Sequence, residues 1–193
     1  MPVDRKHQYR LDPRKPFVLD TRELGRRAGS MRTLKLPVPA PEGLGLELIG
    51  VPAGADVDLD LRLESVMEGV LVSGTATASL VGECGRCLEP VTDVLSVRLQ
   101  ELFAYETSEV EEEDTAQMEG VFLDLEPVLR DAVLLALPLT PLCTPDCRGL
   151  CVECGERLDD LPPDHGHGTA DPRWSALQDL LMTDPHADKH QEN

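Results

Sequence analysis

The sequence predicts an α+β fold, in which an antiparallel β-sheet or meander packs against one helix and leads into a small C-terminal Cys/His knuckle segment. Three observations support it: strand-like alternation in the first half, one helical stripe after it, and closely spaced cysteines near the end. At 193 residues and 41% hydrophobic content, the chain can form one good-sized domain, or one domain with appendages.

The first element is a basic N-terminal arm over residues 1–36, predicted to hold at most a short strand or helical turn. The arm has ten Lys/Arg and four Asp/Glu, a net charge of +6, whereas residues 37–193 have eight and thirty-two, a net of −24. Basic segments attract phosphate backbones and acidic bodies attract basic partners. Acidity alone also serves solubility, so the asymmetry is more informative than the total charge of −18.

A Pro-rich linker is predicted near Pro37 to Pro41, followed by a β-rich core over residues 37–138. The first core strand alternates apolar with charged residues, its apolar members being Val57, Leu59, Leu61 and Leu63. A second strand is predicted over 70–84. A third follows the first cysteine pair, with one face made of Leu95, Val97, Leu99 and Phe103. An antiparallel meander is the simplest arrangement of these strands.

The rest of the core is predicted to be a solvated acidic loop over 106–119, with seven acidic residues in fourteen, and a helix over 124–137. Asp124 is a candidate cap and Pro127 falls in the first turn. The apolar stripe of the helix is Leu125, Val128, Leu129, Ala132 and Val133. Residues 139–182 then form the Cys/His knuckle and a closing helix that begins at Asp171 and Pro172, and 183–193 are predicted to be a disordered tail.

Three cysteine pairs and one histidine pair have the spacing of zinc ligands, and the chain has only six cysteines in all. The candidate ligands are Cys84, Cys87, Cys143, Cys147, Cys151, Cys154, His165 and His167. In one scheme, the first four form a site that ties sheet to helix end, and the other four form a local site. In the rival scheme Cys143, Cys147, Cys151 and Cys154 share one ion. One or two structural zinc ions are therefore expected.

A glycine follows Cys84 and another follows Cys154, where we expect the knuckle backbone to need a positive φ. With four protein ligands per ion, no position stays open for water or substrate, which disfavours hydrolytic zinc chemistry. A thiol oxidoreductase is a less favoured alternative, because neither C-x-x-C pair opens a helix in a β-α-β pattern. We also find no P-loop, dinucleotide fingerprint or G-x-S-x-G turn, so no enzyme and no small-molecule substrate is expected.

The chain lacks the run of about 18 apolar residues that would cross a bilayer, and its first residues do not form a signal peptide. We therefore expect a cytoplasmic protein that does not associate with membranes. In that reducing compartment, clustered cysteines more often bind metal than form disulfides. Aromatic residues make up only 3% of the chain, which disfavours base stacking on aromatic platforms.

Five stretches together resemble one known family over about residues 15–182: "LDTRELGRRAGSMR", "CGRCLEPV", "LALPLTPLC", "CRGLCVECGERL" and "DPRWSALQDL". This is the YceD family, associated with accumulation of large-subunit ribosomal RNA, and the first two stretches look most like its actinobacterial members. Relatives often carry a Cys-x-Cys pair where this chain has His165 and His167. Some lack the second knuckle, which implies a structural site. The resemblance transfers no catalytic residue.

The resemblance implies a role in ribosome biogenesis, with processing or accumulation of 23S rRNA as the expected outcome and the large-subunit rRNA or a pre-ribosomal particle as partner. The predicted RNA-contacting side chains lie in the arm: Arg22, Arg26, Arg27, Arg32 and Lys35. The alternative is a zinc-stabilised adaptor whose acidic body binds a basic ribosomal protein without touching RNA.

Overall fold

Antiparallel strands and one helix make up the described part of the chain. The computed structural model describes residues 11–106 and 116–167. Its elements are β1 Val18–Asp20, β2 Met31–Pro39, β3 Ile49–Gly50, β4 Asp56–Ser65, β5 Gly69–Glu83, β6 Pro90–Ala104, β7 Phe122–Asp124 and α1 Glu126–Ala136. All pairings between these strands are antiparallel. The chain divides into two compact units, Met1–Cys147 and Arg148–Asn193.

A five-stranded sheet of β2, β3, β4, β5 and β6 lies in the first unit. The meander β4–β5–β6 is confirmed, with β5 paired to β6 along its whole length and to β4 over its first part. Alternate residues of β4 are buried, as the two-residue period predicts, and Val97, Leu99 and Phe103 of β6 are buried with them. β3 pairs with the last part of β5, and a separate two-stranded sheet joins β1 to β7.

The prediction of a linker near Pro37 to Pro41 was wrong. β2 continues through both Pro37 and Pro39, which pair in register with Asp58 and Asp56 of β4. Proline is tolerated there because β2 pairs with β4 alone among the described strands, and an edge strand can lack a backbone donor on one side. Much of the predicted arm, from Val18 onward, therefore contributes strands to the first unit. The remaining division into domains stays a prediction.

The hydrophobic core packs the sheet against α1. Leu125, Leu129 and Val133 of the predicted stripe are buried in it, and Val128 and Ala132 are partly buried against it. Pro127 stands in the first helical turn as predicted, but Leu125 is the N-cap residue. Asp124 precedes the N-cap residue, and its Oδ1 accepts a hydrogen bond from the N–H of Glu126, the first helical residue, at 2.9 Å.

The acidic stretch 106–119 is structured at its C-terminal end. Met118 is 2% exposed, and its N–H donates to the carbonyl of Ala104. The Ala104 N–H in turn donates to the carbonyl of Ala116, so this end of the predicted solvated loop lies along β6. Residues 107–115 lie outside the described residues. Within the described ranges, no helix is long and apolar enough to span a membrane.

The second unit is described from 148 to 167. Its backbone is organised by an isolated bridge between Leu150 and Arg157 and by a hydrogen bond from the Leu158 N–H to the Gly149 carbonyl. Among the described residues, the hydrophobic core includes none after Leu137. The predicted closing helix and tail lie outside the described residues.

Candidate metal centres

The eight predicted ligands form two clusters, which we call the buried cluster (Cys84, Cys87, Cys143, Cys147) and the exposed cluster (Cys151, Cys154, His165, His167). In each, the four ligand atoms all lie within 4.8 Å of one another. The four cysteines of the rival scheme are divided between them. Cys143 and Cys147, which the sequence assigned to the knuckle segment after residue 138, fall in the first unit.

Both clusters are built on the same six-residue turn. In the buried cluster the Cys84 N–H donates to the Glu89 carbonyl, and the Leu88 N–H donates back to the Cys84 carbonyl. In the exposed cluster Cys151 pairs in the same way with residues four and five positions later, Gly155 and Glu156. The two stretches, "CGRCLE" and "CVECGE", therefore form the same backbone hydrogen bonds although they share no residue between the cysteines.

The residue after the second cysteine of each turn takes a positive φ, which is +62° at Leu88 and +74° at Gly155. The expectation was therefore right for Gly155 and wrong for Gly85, which does not have a positive φ. The surroundings of Gly85 are crowded instead. A Cβ there would lie 2.9 Å from Cγ2 of Thr140, and the Gly85 N–H donates to the Pro141 carbonyl at 2.8 Å.

The buried cluster joins two distant parts of the chain. Cys84 and Cys87 lie in the turn between β5 and β6, whereas Cys143 and Cys147 follow α1. Sγ of Cys84 lies 3.8 Å from that of Cys147, and the sulfurs of Cys87 and Cys143 are 3.4 Å apart. None of the six cysteines, all of which lie in the described ranges, forms a disulfide. A tetrahedral Zn²⁺ with Zn–S bonds of about 2.3 Å holds its sulfurs about 3.8 Å apart, so these spacings fit a closed four-sulfur site.

The exposed cluster mixes two sulfurs with two imidazoles. Sγ of Cys151 lies 3.2 Å from Nε2 of His167, and Sγ of Cys154 lies 3.6 Å from Nε2 of His165. The corresponding S···N separation around tetrahedral zinc is about 3.6 Å. Nδ1 of His167 lies 3.9 Å from a carboxylate oxygen of Glu153, which is beyond hydrogen-bond distance.

In the buried cluster, hydrogen bonding favours the thiolate form of Cys84. Burial opposes ionisation of Cys84, but the backbone N–H groups of Cys143, Arg86 and Cys87 outweigh it and lower the pKa to about 6. For Cys87 the backbone of Glu89 favours the thiolate. Burial and the three neighbouring thiols overcome that effect and raise the Cys87 pKa to about 12. A cation bound among these sulfurs would favour the thiolate form of Cys87.

The exposed cluster also favours one thiolate. The backbone N–H groups of Cys154 and Glu153 and the ring of His165 lower the pKa of Cys151 to about 6, against a smaller opposing effect of burial. Both clusters thus offer a charged sulfur near neutral pH, and both could hold a metal ion. Because each has four protein ligands, neither leaves a coordination position for chemistry at a tetrahedral metal.

Two side chains that are not ligands lie beside the clusters, and the spacing of the ligands did not predict them. Arg86 lies between the first two cysteines, and its Nη1 donates to the Cys147 carbonyl at 2.7 Å, which fixes the second half of the buried cluster to the first. Glu153 lies beside His167, with a carboxylate oxygen 3.9 Å from Nδ1 of the ring. The C-x-x-C pattern predicts ligands but not these contacts, since both residues occupy positions that any residue type can fill.

The five predicted RNA-contacting side chains lie in the first unit, and three of them are ion-paired within the protein. Arg22 pairs with Asp20, Arg32 with Glu23 at 3.0 Å, and Lys35 with Asp60 at 2.7 Å. Arg26 and Arg27 form no ion pair with any other residue in the described ranges. Their RNA contacts stay a prediction.

Comparison with known proteins places the chain in a family. The model of the family described as "Large ribosomal RNA subunit accumulation protein YceD" matches residues 72–181. The chain belongs to the YceD family. The YceD match spans all eight candidate ligands, from the β5–β6 turn to His167.

Relatives that align over most of the chain are found in mycobacteria. An uncharacterized protein of Mycobacterium tuberculosis is 48% identical over 170 residues, which is 86% of this chain and 82% of the relative. One of Mycobacterium leprae is 44% identical over 173 residues, or 88% and 79% of the two chains. The uncharacterized protein YlbN of Bacillus subtilis is 25% identical over 112 residues, covering 57% of this chain and 65% of YlbN. No solved structure matches the chain.

Proposed function

We propose that this protein is a non-catalytic ribosome-biogenesis factor that promotes processing and accumulation of 23S rRNA and assembly of the large subunit. The observation that carries the proposal is the match to the YceD family model, whose description names large ribosomal RNA subunit accumulation. Because large subunits are assembled in the bacterial cytoplasm, the proposal places the protein there.

Structural zinc in both clusters is the second part of the proposal. Thiolate and imidazole ligands in fours, at separations close to those of a zinc tetrahedron, support zinc over harder cations, which prefer oxygen ligands. Zinc in the buried cluster would connect the β5–β6 turn to the segment after α1. Zinc in the exposed cluster would organise a unit whose described part contributes nothing to the hydrophobic core.

Metal analysis of the purified protein tests the zinc proposal directly. We expect two zinc ions per chain by elemental analysis and by native mass spectrometry, falling to one in a Cys154→Ser variant. A single ion in the unaltered protein would contradict the two-site proposal. A folded, metal-free protein with reactive thiols would reopen the thiol oxidoreductase interpretation.

The ribosomal role is tested in a bacterium that carries this protein. We expect depletion to lower the ratio of 23S to 16S rRNA and to accumulate precursor particles that sediment below the mature large subunit. Re-expression of the unaltered protein should restore both. A normal 23S level and a normal gradient after full depletion would contradict the proposed function.

A zinc-stabilised adaptor for a basic large-subunit ribosomal protein is the second candidate. Two observations favour it: the net charge of −18, and the ion pairs that engage three of the five predicted RNA-contacting cations. Crosslinking in cells followed by sequencing and mass spectrometry distinguishes the two. Crosslinks to 23S rRNA support direct RNA contact, whereas crosslinks to ribosomal protein alone support the adaptor.

A further inference from the structure

We infer that a surface around Arg26 binds unpaired nucleotides of single-stranded RNA, with bases stacking on guanidinium groups. This inference rests on the proposed ribosomal function and identifies the part of the basic segment that would meet RNA. We call the surface the arginine–aromatic site. It consists of Arg22, Arg26, Tyr105, Phe122 and the backbone at 120–121.

The described aromatic side chains fall into two groups. Phe17 and Phe103 are buried in the core at 2% and 1% exposure. Tyr105 and Phe122 are only partly buried, and each lies beneath an arginine. The guanidinium carbon of Arg26 is 5.0 Å from the Tyr105 ring centre, and that of Arg22 is 5.8 Å from the Phe122 ring centre. A chain poor in aromatic residues thus places both of its described surface rings under arginines.

Two adjoining cavities mark the same place. One, of about 200 Å³, is lined by both arginines and Tyr105; a larger one, of about 790 Å³, is lined in part by Phe122. They share Gly120 and Val121. The smaller cavity is below the roughly 300–1,000 Å³ of sites that enclose a drug-sized ligand. The smaller cavity therefore suits one nucleotide of an RNA strand that continues into the larger cavity.

The platform beneath Arg26 is held in place from below. The Tyr105 hydroxyl lies 3.1 Å from the hydroxyl of Ser65, which is fully buried, and the Tyr105 N–H donates to the Glu68 carbonyl at 2.9 Å. Across the cavity, Oγ1 of the buried Thr21 donates to the Val121 carbonyl at 2.9 Å. A ring and rim that are already fixed lose little conformational freedom when a ligand stacks there.

The charges at the site favour a stacked base over a duplex backbone. Arg26 donates to the Gly120 carbonyl at 3.5 Å and forms no ion pair within the described ranges, whereas Asp20 already neutralises Arg22. Two more carboxylates face this region: Glu106 accepts the Gly120 N–H, and Glu119 accepts the Leu11 N–H. Such a mixture repels a continuous row of phosphates but admits single-stranded RNA, whose unstacked bases can lie on an arginine plane.

The test is fluorescence anisotropy with a short labelled single-stranded RNA and the same sequence as a duplex, over a series of salt concentrations. We expect preferential binding of the single strand. Arg26→Gln should weaken that binding about tenfold, within the range measured for loss of one stacked base. Tyr105→Leu, which removes the ring that supports the guanidinium, should weaken it in the same direction, whereas Tyr105→Phe should largely retain it.

The matched control is Arg62→Gln, because Arg62 is also exposed and is paired with Glu64 on the solvent face of β4. It should bind single-stranded RNA like the unaltered protein. Circular dichroism and zinc content, measured for every variant, identify loss of folding. Since Arg26 is exposed and contacts one ring and one carbonyl, we expect its variant to fold.

The outcomes separate this inference from the proposed function. If Arg26→Gln binds single-stranded RNA as tightly as the unaltered protein, the inference is overturned, while a 23S defect on depletion would still support the ribosomal role. The inference would also be overturned if Arg62→Gln lost as much affinity for single-stranded RNA as Arg26→Gln does. Displacement of the RNA by a Glu-rich peptide of the same net charge would overturn it as well. A normal 23S level after depletion would refute the proposed function, whatever the RNA affinity.

Discussion

The buried and exposed clusters share a turn but differ in what that turn connects. In the buried cluster the closest sulfur pairs come from residues 56 and 63 positions apart, and three of the four cysteines are buried. In the exposed cluster the paired ligands are 16 and 11 positions apart, and Cys154 is exposed. The same six-residue turn can therefore take part in a cluster that joins distant parts of the chain and in one that joins near neighbours in sequence.

This difference predicts unequal contributions to stability. A metal that closes a long stretch of chain removes more conformational entropy from the unfolded state than one that closes a short stretch, although the dependence on length is weak. Burial matters more, because an incomplete cluster in the first unit would leave polar thiols inside the core region. In the second unit the same loss would expose the ligands to water, which can solvate them.

The largest effect is expected from breaking the two clusters separately. Cys147→Ser should remove the metal from the buried cluster and should sharply lower the melting temperature of the first unit, since a structural zinc contributes on the order of 10 kcal/mol to folding. Cys154→Ser should leave that melting temperature unchanged and release only the second unit. Differential scanning calorimetry with zinc analysis measures both effects.

Hydrogen exchange provides the control for that pair. In Cys154→Ser, amides of β4, β5 and β6 should keep their protection, and loss should be confined to the second unit. If both variants lost protection in the sheet equally, the two clusters would not differ as described. Retention of sheet protection in Cys147→Ser would show that the buried cluster is dispensable for the first unit.

Chelation should distinguish the clusters by rate. With Cys154 exposed and Cys84 fully buried, a chelator in solution should remove zinc from the exposed cluster at least about tenfold faster, because the buried cluster must open locally first. Native mass spectrometry at timed intervals should show a one-zinc species that persists. Simultaneous loss of both ions would contradict this order.

The stability of the metal-free protein should depend on pH through different thiols in the two clusters. The pKa values of Cys84 and Cys151 lie at about 6, below the ordinary 9.0. Each therefore contributes stability that is fully present above pH 9 and is lost as the pH falls toward 6. The raised pKa of Cys87, about 12, acts only in the buried cluster and lowers stability as the pH rises from 9 toward 12.

Thiolate absorbance and denaturant unfolding of the metal-free protein across pH test this prediction. We expect one thiolate per cluster to form near pH 6, and Cys84→Ser and Cys151→Ser each to remove one such step. The first unit should then lose stability as the pH rises above 9, because of Cys87. Six thiols that titrate together near pH 9 would contradict it.

The comparison also shows what the sequence could predict. Ligand spacing predicted the eight residues that the structure brings into two clusters. The two-residue period predicted β4 and β6, and residue composition predicted β5, because all of these signals are local. The pairing of β2 with β4 was missed. Pro37 and Pro39 indicated a linker, and only the position of β2 at a sheet edge makes them compatible with a strand.

Non-local contacts account for the remaining differences. Met118 lies in an acidic stretch that predicts solvent exposure, yet it is buried because β6 offers an edge to residues 116–118. The stacking of Arg26 on Tyr105 joins residues whose sequence neighbourhoods are unrelated. Similarly, Gly85 suggested a positive φ, but its role depends on Thr140 and Pro141, which approach it only in the fold.

The smallest and most specific effect is expected at the position that the two turns share. Leu88 and Gly155 both follow the second cysteine and both have a positive φ, a conformation that costs a residue with a Cβ about 1–2 kcal/mol. Leu88→Gly should therefore stabilise the first unit by about 0.5–1 kcal/mol, after allowance for the greater freedom of glycine in the unfolded chain. The Leu88 side chain is 58% exposed, so its removal gives up little burial.

Gly155→Leu is the reciprocal change, and it should weaken the second unit by about 1–2 kcal/mol. A Cβ at Gly155 would meet nothing within 4 Å, so the penalty there would be conformational and not steric. Zinc affinities of the two sites, measured by competition with a chelating dye, should shift in opposite directions in the two variants. If both zinc affinities shifted in the same direction, the two turns would not be equivalent. In equivalent turns, Leu88→Gly relieves the strain of a positive φ and Gly155→Leu creates the same strain.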